Sequence, residues 1–383
     1  MSKKNPLLSD LDCNWESDTE KEWTDMPEFL QGDERPHRTI IMHFRNELDV
    51  KEFSDLVEQN ITSKTKSMFH PKLVREQHND RIYTSKNKAL SCPKYPLYIV
   101  SKSRWKSRHT SKALESMNVP YHIVVEKHEY KKYTSVINKK KVLVLPQSYL
   151  DEYDTYDDLG DSKSKGPGAA RNFCWDHSID NKFKRHWVMD DNILRFHRLN
   201  RNEMNAVNSG TIFRCMEDFV DRYKNVAMAG PQYFMFIARK SKYPHYTLNT
   251  RIYSCNLIKN DAPYRWRGRY NEDTDLSLRM LKDKWCTVQF YAFIQDKLTT
   301  QTVQGGNTKE FYAEEGTLNK SQMLKDMHPN LTEVVWRFGR WHHYVNYGHF
   351  RKNRLIKKKK FKSLEGDTNN YGMELVKVGE QAK

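Results

Sequence analysis

Long apolar runs are missing from this chain of 383 residues. No segment approaches the roughly 18 consecutive apolar residues of a membrane-spanning helix, and the opening Met-Ser-Lys-Lys-Asn-Pro has no apolar signal region. The six cysteines are widely scattered, without a Cys-x-x-Cys pair or a zinc-like spacing. We therefore expect a cytoplasmic protein with reduced thiols, no disulfide framework and no membrane partner.

Acidic residues are outnumbered by basic ones beyond the first 34 positions. Those positions hold ten carboxylates against three lysines, whereas the whole chain has a formal net charge of +16 and a pI near 9.3. The remainder therefore carries about +23. Such an excess suits a polyanionic partner, because neutralising phosphates releases counterions. Nucleic acid is favoured over the other polyanion, a membrane surface, because no apolar anchor accompanies the charge.

Composition sets two N-terminal parts apart from the rest. Residues 1–37 are polar and acidic and predict a poorly ordered tail. Residues 38–94 predict a small α/β module, with a strand at 39–44 and an amphipathic helix from Asp49.

The rest of the chain predicts a large domain over residues 95–300 and a C-terminal region over 301–383. In the C-terminal region a Gly-containing loop leads into a helical stretch, because apolar residues recur there at helical spacing. These residues are Val334, Phe338, Trp341 and Val345. Arg351 to Lys362 then supplies eight cations in twelve residues, so we expect a basic helical C-terminal region.

Apolar runs alternate with helical stretches in the large domain. The runs at 97–100, 121–126, 141–146 and 186–190 have the character of buried strands. This alternation predicts an α/β fold with a Rossmann-type, mostly parallel sheet and helices on both faces. Ligands of such sheets collect beyond the carboxyl ends of the strands, so polar residues just after each run are candidate site residues.

Two acids and an amide follow one of these strands, in Val188-Met-Asp-Asp-Asn192. Adjacent carboxylates repel each other, so a hard divalent cation, Mg²⁺ or Mn²⁺ on a diphosphate, would stabilise them. An Asx-turn that caps the next segment is an equally good interpretation.

Two further motifs open predicted helices. Gly166-Pro-Gly-Ala-Ala-Arg-Asn172 combines backbone amides at a helix start with Arg171, which suits an anion, although a simple Pro/Gly turn also accounts for it. Tyr270-Asn-Glu-Asp-Thr-Asp275 places three acids in a first helical turn. The helix dipole stabilises such acids, and one of them beside a cleft could act as a general base.

The order of these motifs resembles that of GT-A glycosyltransferases, which have an Asp-x-Asp-like strand end and a later Glu-Asp element. The resemblance implies that Asp190, Asp191 and Asn192 contact a divalent metal and the donor diphosphate. It also implies that Asp273 is the base, with Glu272 as the alternative. A late histidine completes the metal shell in such enzymes. His343 is the candidate chosen among His328, His342 and His343, which also suit surface or packing roles.

A closer resemblance rests on the amino-acid sequences at the strand ends. Ile99-Val-Ser-Lys-Ser-Arg-Trp105, Val124-Val-Glu126 with Tyr130, Gly168 to Asn172 and the Asp-Asp-Asn element resemble the TET-associated glycosyltransferases of phages and eukaryotes. That family is thought to glycosylate hydroxymethylated pyrimidines in DNA. The resemblance implies a UDP-sugar donor, with arabinose as first guess and glucose as second, and 5-hydroxymethylcytosine in phage DNA as acceptor.

By the same resemblance, several residues should surround the donor: Ser101, Arg104, Glu126, Tyr130, Gly168, Arg171, Asn172 and Asp190. DNA further requires cations along its backbone and aromatic groups near a displaced base. The cations expected on DNA are Arg265, Arg267, Arg269, Arg340, Lys357 and Lys358. For Lys357–Lys360 alone, a solvated patch is an adequate explanation.

Other functions fit parts of this pattern. The acceptor could be a protein or another glycan, the core could have become a DNA-binding module, or the acids could serve a two-metal nuclease. If Asp273 is the single base, transfer should invert the anomeric carbon, whereas retention requires another mechanism.

Overall fold

The computed structural model describes residues 15–72, 80–157, 165–238, 241–298, 317–359, 361 and 368–379. Within these ranges the chain forms nine α-helices and fourteen β-strands. The helices are α1 (Trp15–Glu22), α2 (Glu47–Leu56), α3 (His109–Ser116), α4 (Tyr130–Thr134), α5 (Gln147–Asp151), α6 (Gly168–Asp180), α7 (Thr211–Asp221), α8 (Glu272–Lys282) and α9 (Leu318–Met327). The strands are β1 (Arg81–Ser85), β2 (Leu97–Val100), β3 (His122–Val125), β4 (Val142–Val144), β5 (Arg185–Asp190), β6 (Ile193–Asn200), β7 (Glu203–Ala206), β8 (Val226–Tyr233), β9 (Tyr246–Leu248), β10 (Cys255–Lys259), β11 (Cys286–Lys297), β12 (Thr332–Arg337), β13 (Arg340–Val345) and β14 (Met373–Lys377).

Ten strands form one central sheet in the order β4-β3-β2-β5-β10-β8-β11-β6-β7, with β9 pairing onto β11. Strands β4, β3, β2 and β5 are parallel to one another, and β8 is parallel to β11. The other five described pairings are antiparallel. The prediction of a mostly parallel sheet thus holds for the first half, but the whole sheet is mixed. The local hydrophobic pattern of a buried strand carries no information about its direction.

Helices cover both faces of this sheet. Successive residues of β2 enter different clusters, because side chains alternate across a strand: Leu97 and Ile99 pack with α3 and α7, whereas Tyr98 and Val100 pack with α6 and α8. Because both faces of these strands are buried, their sequences are continuous apolar runs, which agrees with the prediction of buried strands. The result is a three-layered α/β arrangement compatible with a Rossmann-like fold.

The N-terminal segment packs against this core. Trp23, Met26 and Phe29 are buried, and the Arg198 guanidinium donates to Glu28 O at 2.7 Å. The expected disordered tail is therefore wrong for this part of residues 1–37, because three large side chains at three-residue intervals offset its polar composition.

The helix expected from Asp49 is present as α2, whereas the strand expected at 39–44 is absent. The 39–44 stretch has no regular structure, with Ile40 and Ile41 exposed, and α2 buries none of its residues. Strand β1 instead pairs with β14 near the C-terminus.

The expected C-terminal helix is wrong as well, because its apolar residues lie in a hairpin of β12 and β13. The predicted loop at 301–308 lies outside the described residues. Of the helices that the structure describes, none has the length and apolar character needed to cross a membrane.

Candidate active site

Two neighbouring parallel strands bring the first site residues together. Strand β5 ends at Asp190, which lies opposite Val100 at the end of β2. The loop after β2 therefore reaches the turn formed by Asp191 and Asn192. This is the edge at which the sequence predicted a site, because the carboxyl ends of parallel strands meet there.

Asp191 is held by the loop after β2. Its carboxylate forms a buried ion pair with Arg104 and accepts a hydrogen bond from Ser101 Oγ at 2.6 Å. Ser101 Oγ also lies 2.6 Å from the Tyr133 hydroxyl oxygen, which accepts from the Arg104 backbone N–H at 3.1 Å. Burial raises the pKa of Asp191, against the opposing effect of Arg104. Both oxygens of this carboxylate are thus engaged by protein groups.

Asp190 is held by two cations from distant parts of the chain. Arg171 Nη2 on α6 lies 2.8 Å from Oδ1, and Lys297 Nζ at the end of β11 lies 2.6 Å from Oδ2. Lys297 also donates to Ser254 Oγ at 2.6 Å. Burial works in the opposite direction, but Lys297 and Arg171 hold the pKa of Asp190 well below its usual range. Asp190 is therefore a carboxylate whose charge the protein itself neutralises.

Arg171 joins the three sequence motifs. Its guanidinium is 3% exposed, binds Asp190 with one nitrogen, and places Nη1 2.8 Å from Glu272 Oε1 at the start of α8. The Trp266 ring stacks against it, with 4.6 Å between Cζ and the ring centroid. The Gly-Ala-Ala-Arg helix, the acidic strand end and the Glu-Asp helix start therefore converge on one buried side chain.

The two acids at the start of α8 differ in their surroundings. Glu272 is buried against Arg171, and burial raises its pKa. Asp273 is half-buried, and its Oδ1 accepts from the Thr274 backbone N–H at 2.7 Å. No described residue donates a hydrogen bond or forms an ion pair with Asp273 Oδ2. Among the four site acids that the structure describes, Asp273 is thus the one that forms no ion pair, and it stays the candidate general base.

The site now combines strand-end acids, buried cations and an unpaired helix-start acid on a Rossmann-like sheet. Residues 95–306 match the family model of the TET-Associated Glycosyltransferase. The chain belongs to the TET-associated glycosyltransferase family. Comparison with curated proteins gave no match. The family match covers the three site motifs and confirms the resemblance drawn from the sequence.

In this glycosyltransferase, some predicted donor residues have structural partners. The Asn172 side chain binds the backbone N–H and carbonyl oxygen of Trp266, at 2.8 and 3.0 Å. A Cβ on Gly168 would lie 1.8 Å from the Tyr153 hydroxyl oxygen. The start of α6, expected to present open amides to an anion, is therefore covered by Tyr153.

The sequence predicts that Glu126 and Tyr130 contact the nucleoside, and the residues three positions later also meet the loop after β2. Glu126 Oε1 lies 3.7 Å from Nζ of Lys102 in that loop, and Tyr130 packs at the border of the core. Glu129 Oε1 accepts from the Ser103 backbone N–H at 2.8 Å, and Tyr133 contacts Ser101. A one-turn 3-10 helix at 127–129 produces this shift. The roles of Glu126 and Tyr130 stay predictions.

The residues predicted to contact a metal lie in different surroundings. Among the described residues, no group of three or more His, Cys, Asp or Glu side chains could hold an ion. Asn192 donates to Leu298 O at 3.0 Å. His343 lies on β13, where burial and nearby Arg251 lower its pKa to about 3. Protein cations pair with both Asp190 and Asp191, and the metal-binding role of these residues stays a prediction.

The cations predicted to contact DNA are dispersed. Arg265 is 43% exposed and binds Asp176, while Arg267 is 32% exposed and binds Asp275. Arg269 is buried at 2% exposure, so it presents no surface to a phosphate.

Lys357 and Lys358 lie at the other end of the sheet from Asp190. The Lys358 backbone N–H donates to Arg222 O, and the charge of Arg185 at the start of β5 acts on its ammonium. Five residue steps lead from Arg185 to Asp190, so the two ends of β5 are roughly 16 Å apart. The DNA contacts of these lysines stay a prediction. Arg340 is exposed on the hairpin of β12 and β13.

Lys297 and Tyr133 were missed by sequence reasoning. Lys297 is the last residue of the long, mostly buried strand β11. A polar residue at the end of a buried strand is the same pattern that identified Asp190 as a candidate site residue. Tyr133 carried no such signal, because it lies inside a short helix.

Proposed function

We propose that this protein transfers a sugar from a UDP-sugar to the hydroxymethyl group of 5-hydroxymethylcytosine in DNA, with inversion at the anomeric carbon. Arabinose is the first candidate sugar and glucose the second. The observation that carries the proposal is the unpaired carboxylate of Asp273, beside a cation-balanced acid cluster in a member of the TET-associated glycosyltransferase family. The three-layered fold is compatible with the proposed GT-A class.

In this reaction Asp273 acts as general base. The acceptor hydroxyl approaches within about 3 Å of Oδ2 and gives up its proton as its oxygen bonds to the anomeric carbon. The bond from that carbon to the diphosphate oxygen breaks, and its electron pair leaves with the diphosphate. One direct displacement of this kind inverts the configuration. Glu272 is less suited to the role, because its ion pair with Arg171 competes for the carboxylate.

Lys297 and Arg104 can balance the charge that develops on the leaving diphosphate. An ammonium has three donors, and the described contacts of Lys297 use two of them, on Asp190 and Ser254. The third N–H can bind a diphosphate oxygen. Preorganised donors of this type stabilise developing charge without reorganising during the reaction.

A divalent cation stays a proposal, and no step above depends on it. If it binds, Asp190 and Asp191 are the carboxylates that would hold it in exchange for some of their present contacts, and it would add positive charge to the diphosphate. The test is transfer measured in chelator and again after Mn²⁺ or Mg²⁺ is restored. Loss and recovery support a metal, whereas transfer that is unchanged in chelator removes it.

A DNA acceptor is supported by the charge of the chain. About +23 of formal charge lies beyond residue 34, and Arg265 and Arg340 present cations at the surface. Phosphate neutralisation by such residues provides affinity that is independent of base sequence.

The experiment is incubation of the purified protein with a panel of nucleotide sugars and with DNA that contains cytosine or hydroxymethylcytosine, followed by nucleoside mass spectrometry. A pentose increment on hydroxymethylcytosine alone is the expected result. A hexose increment would correct the sugar, while donor hydrolysis without DNA modification would point to a protein or glycan acceptor. Product NMR then tests inversion, because a retained anomeric configuration contradicts a single displacement.

A further inference from the structure

A two-stranded hairpin stands apart from the central sheet. Strands β12 and β13 pair only with each other among the described strands and pack on α9. Their register leaves a two-residue turn, Phe338-Gly339, in which both φ angles are positive, at 52° and 73°. This is the backbone of a type I′ turn, whose twist matches that of paired strands.

The residue at the tip is not explained by folding. A type I′ turn favours Asn or Gly at its first position, and a bulky side chain at positive φ is unusual. Phe338 is nevertheless 93% exposed, so its ring adds almost nothing to the core. Neither the conformational preference of the turn nor packing accounts for a phenylalanine at this position. An unfavourable residue of this kind indicates a functional role.

An aromatic pair lies beside the tip. Trp336 and Trp341 are directly opposite in the register, with ring centroids 5.2 Å apart and exposures of 59% and 38%. Alternation along a strand puts them on the same face as His343. His343 is half-buried, whereas both tryptophans are exposed, so this face meets the protein at its His343 end.

The foot of the hairpin adjoins the candidate base. The Lys320 carbonyl oxygen on α9 accepts from Asn271 Nδ2 at 2.7 Å, and Asn271 directly precedes α8. Tyr347, just after β13, and Arg251 both interact electrostatically with Asp273. The foot of the hairpin thus lies on the same side of the molecule as Asp273, and the face with the tryptophan pair extends outward from that side.

The charge of the hairpin suits a polyanion. Arg337 and Arg340 flank the tip and are exposed, and no acidic residue occurs between Val334 and Val345. Exposed aromatic rings between cations match nucleic acid, because the rings stack on bases while the cations contact phosphates.

We propose that this hairpin is a DNA wedge: Phe338 inserts into the base stack beside the target hydroxymethylcytosine, and Arg337 and Arg340 hold the flanking phosphates. The inference rests on the proposed function and adds how the acceptor base reaches the site. A hydroxymethyl group must come within about 3 Å of Asp273, which is half-buried. A base displaced from the duplex reaches such a position more easily than a stacked one.

The test compares Phe338→Asn with the full-length wild type on one hydroxymethylcytosine sequence, as duplex and as single strand. Asn suits the turn better than Phe, so the melting temperature should not fall. Duplex modification should fall about tenfold or more, while single-strand modification should change little. Phe183→Ala is the matched control, because Phe183 is 40% exposed but adjoins Arg185 at the far end of β5. It should leave both rates unchanged. Equal rates for wild type and Phe338→Asn on duplex, or equal losses on both DNA forms, would overturn the wedge.

A binding measurement separates this inference from the proposed function. With 2-aminopurine next to the target base, wild type should raise its fluorescence without any sugar donor, and Phe338→Asn should not. If that difference occurs but no sugar is ever transferred, the proposed function fails and the wedge stands. If sugar is transferred and the fluorescence is the same for both proteins, the wedge fails. Phe338-dependent binding to phosphatidylserine vesicles, with Phe338-independent DNA binding, would assign the hairpin to a membrane surface and also overturn it.

Discussion

Replacing Asp273 with asparagine tests the proposed base most sharply. General-base catalysis contributes about 10²- to 10⁴-fold to a reaction rate, which corresponds to roughly 3–5 kcal/mol of activation free energy. Because Asp273 Oδ2 has no partner among the described residues, it is the oxygen that an acceptor hydroxyl can meet. We therefore expect Asp273→Asn to lower kcat for sugar transfer by that factor.

The substitution should leave the fold intact. Asparagine keeps an Oδ1 that can accept from the Thr274 backbone N–H, at 2.7 Å in the wild type. The cost is then limited to losing one negative charge at a helix start, about 0.3–1 kcal/mol. Donor affinity should also change little, since Lys297 and Arg104, the cations proposed to meet the diphosphate, pair with Asp190 and Asp191 and not with Asp273.

The assay measures initial transfer rates into a hydroxymethylcytosine oligonucleotide, donor affinity by calorimetry and the melting temperature. Glu272→Gln is the comparison variant, because it removes a buried ion-pair partner of Arg171 and should lower the melting temperature. Transfer by Asp273→Asn within about tenfold of wild type, below the usual contribution of a general base, would refute the assignment. A far larger kcat loss in a well-folded Glu272→Gln would move the role to Glu272.

Three further predictions follow from buried groups. Lys297→Met removes a proposed donor to the diphosphate and should lower kcat about 10²- to 10³-fold. It should also lower the melting temperature, because Asp190 keeps only Arg171 as a cation partner; wild-type kcat in the folded variant would contradict a role on the diphosphate. Glu217→Gln should lower the free energy of unfolding, measured with denaturant, by about 1–3 kcal/mol. Both carboxylate oxygens of Glu217 accept hydrogen bonds from N–H groups, including Trp187 Nε1 at 2.8 Å, and an amide has one acceptor oxygen fewer. An unchanged free energy of unfolding would refute this prediction. Burial lowers the pKa of His245 to about 4, so as the pH drops from 6.5 toward 4 the unfolded chain binds a proton before the folded protein does, and the folded state loses stability. His245→Phe should remove about 2 kcal/mol of that loss at pH 5. The plot of melting temperature against pH should then be flatter than for wild type, and an unchanged slope would contradict the prediction.

The strand-end acids could be located from sequence because their signal is local. An apolar run that stops at Asp190 identifies a buried strand and its carboxyl end, and three acids after Asn271 identify a helix start. Their meeting through Arg171 follows from the fold, since α6 and α8 cover the same face of the sheet. Motif order along the chain was therefore a sound guide to this part of the site.

Long-range partners could not be found in the same way. Lys297 lies 107 positions from Asp190, and only the pairing of β11 within the sheet brings them together. Without that cation, the paired acids of the strand end suggested a metal. The structure shows that protein cations pair with these acids, and the metal stays a prediction.

The hairpin was mistaken for a helix because its apolar spacing fits both. Val334, Phe338, Trp341 and Val345 recur at four- and three-residue intervals, but β-branched and aromatic residues dominate the two strands, and Gly339 lies between them. Those features favour a hairpin. Strand propensity and the central glycine were the better guide here than periodicity.

Nucleoside mass spectrometry of hydroxymethylcytosine DNA, treated with UDP-arabinose and either wild type or Asp273→Asn, tests the central claim most directly. The account predicts a pentose increment on hydroxymethylcytosine with wild type, none on cytosine, and at most a trace with the variant. Absence of any sugar increment with wild type across the whole donor panel, while the protein still hydrolyses a nucleotide sugar, would contradict DNA as the acceptor.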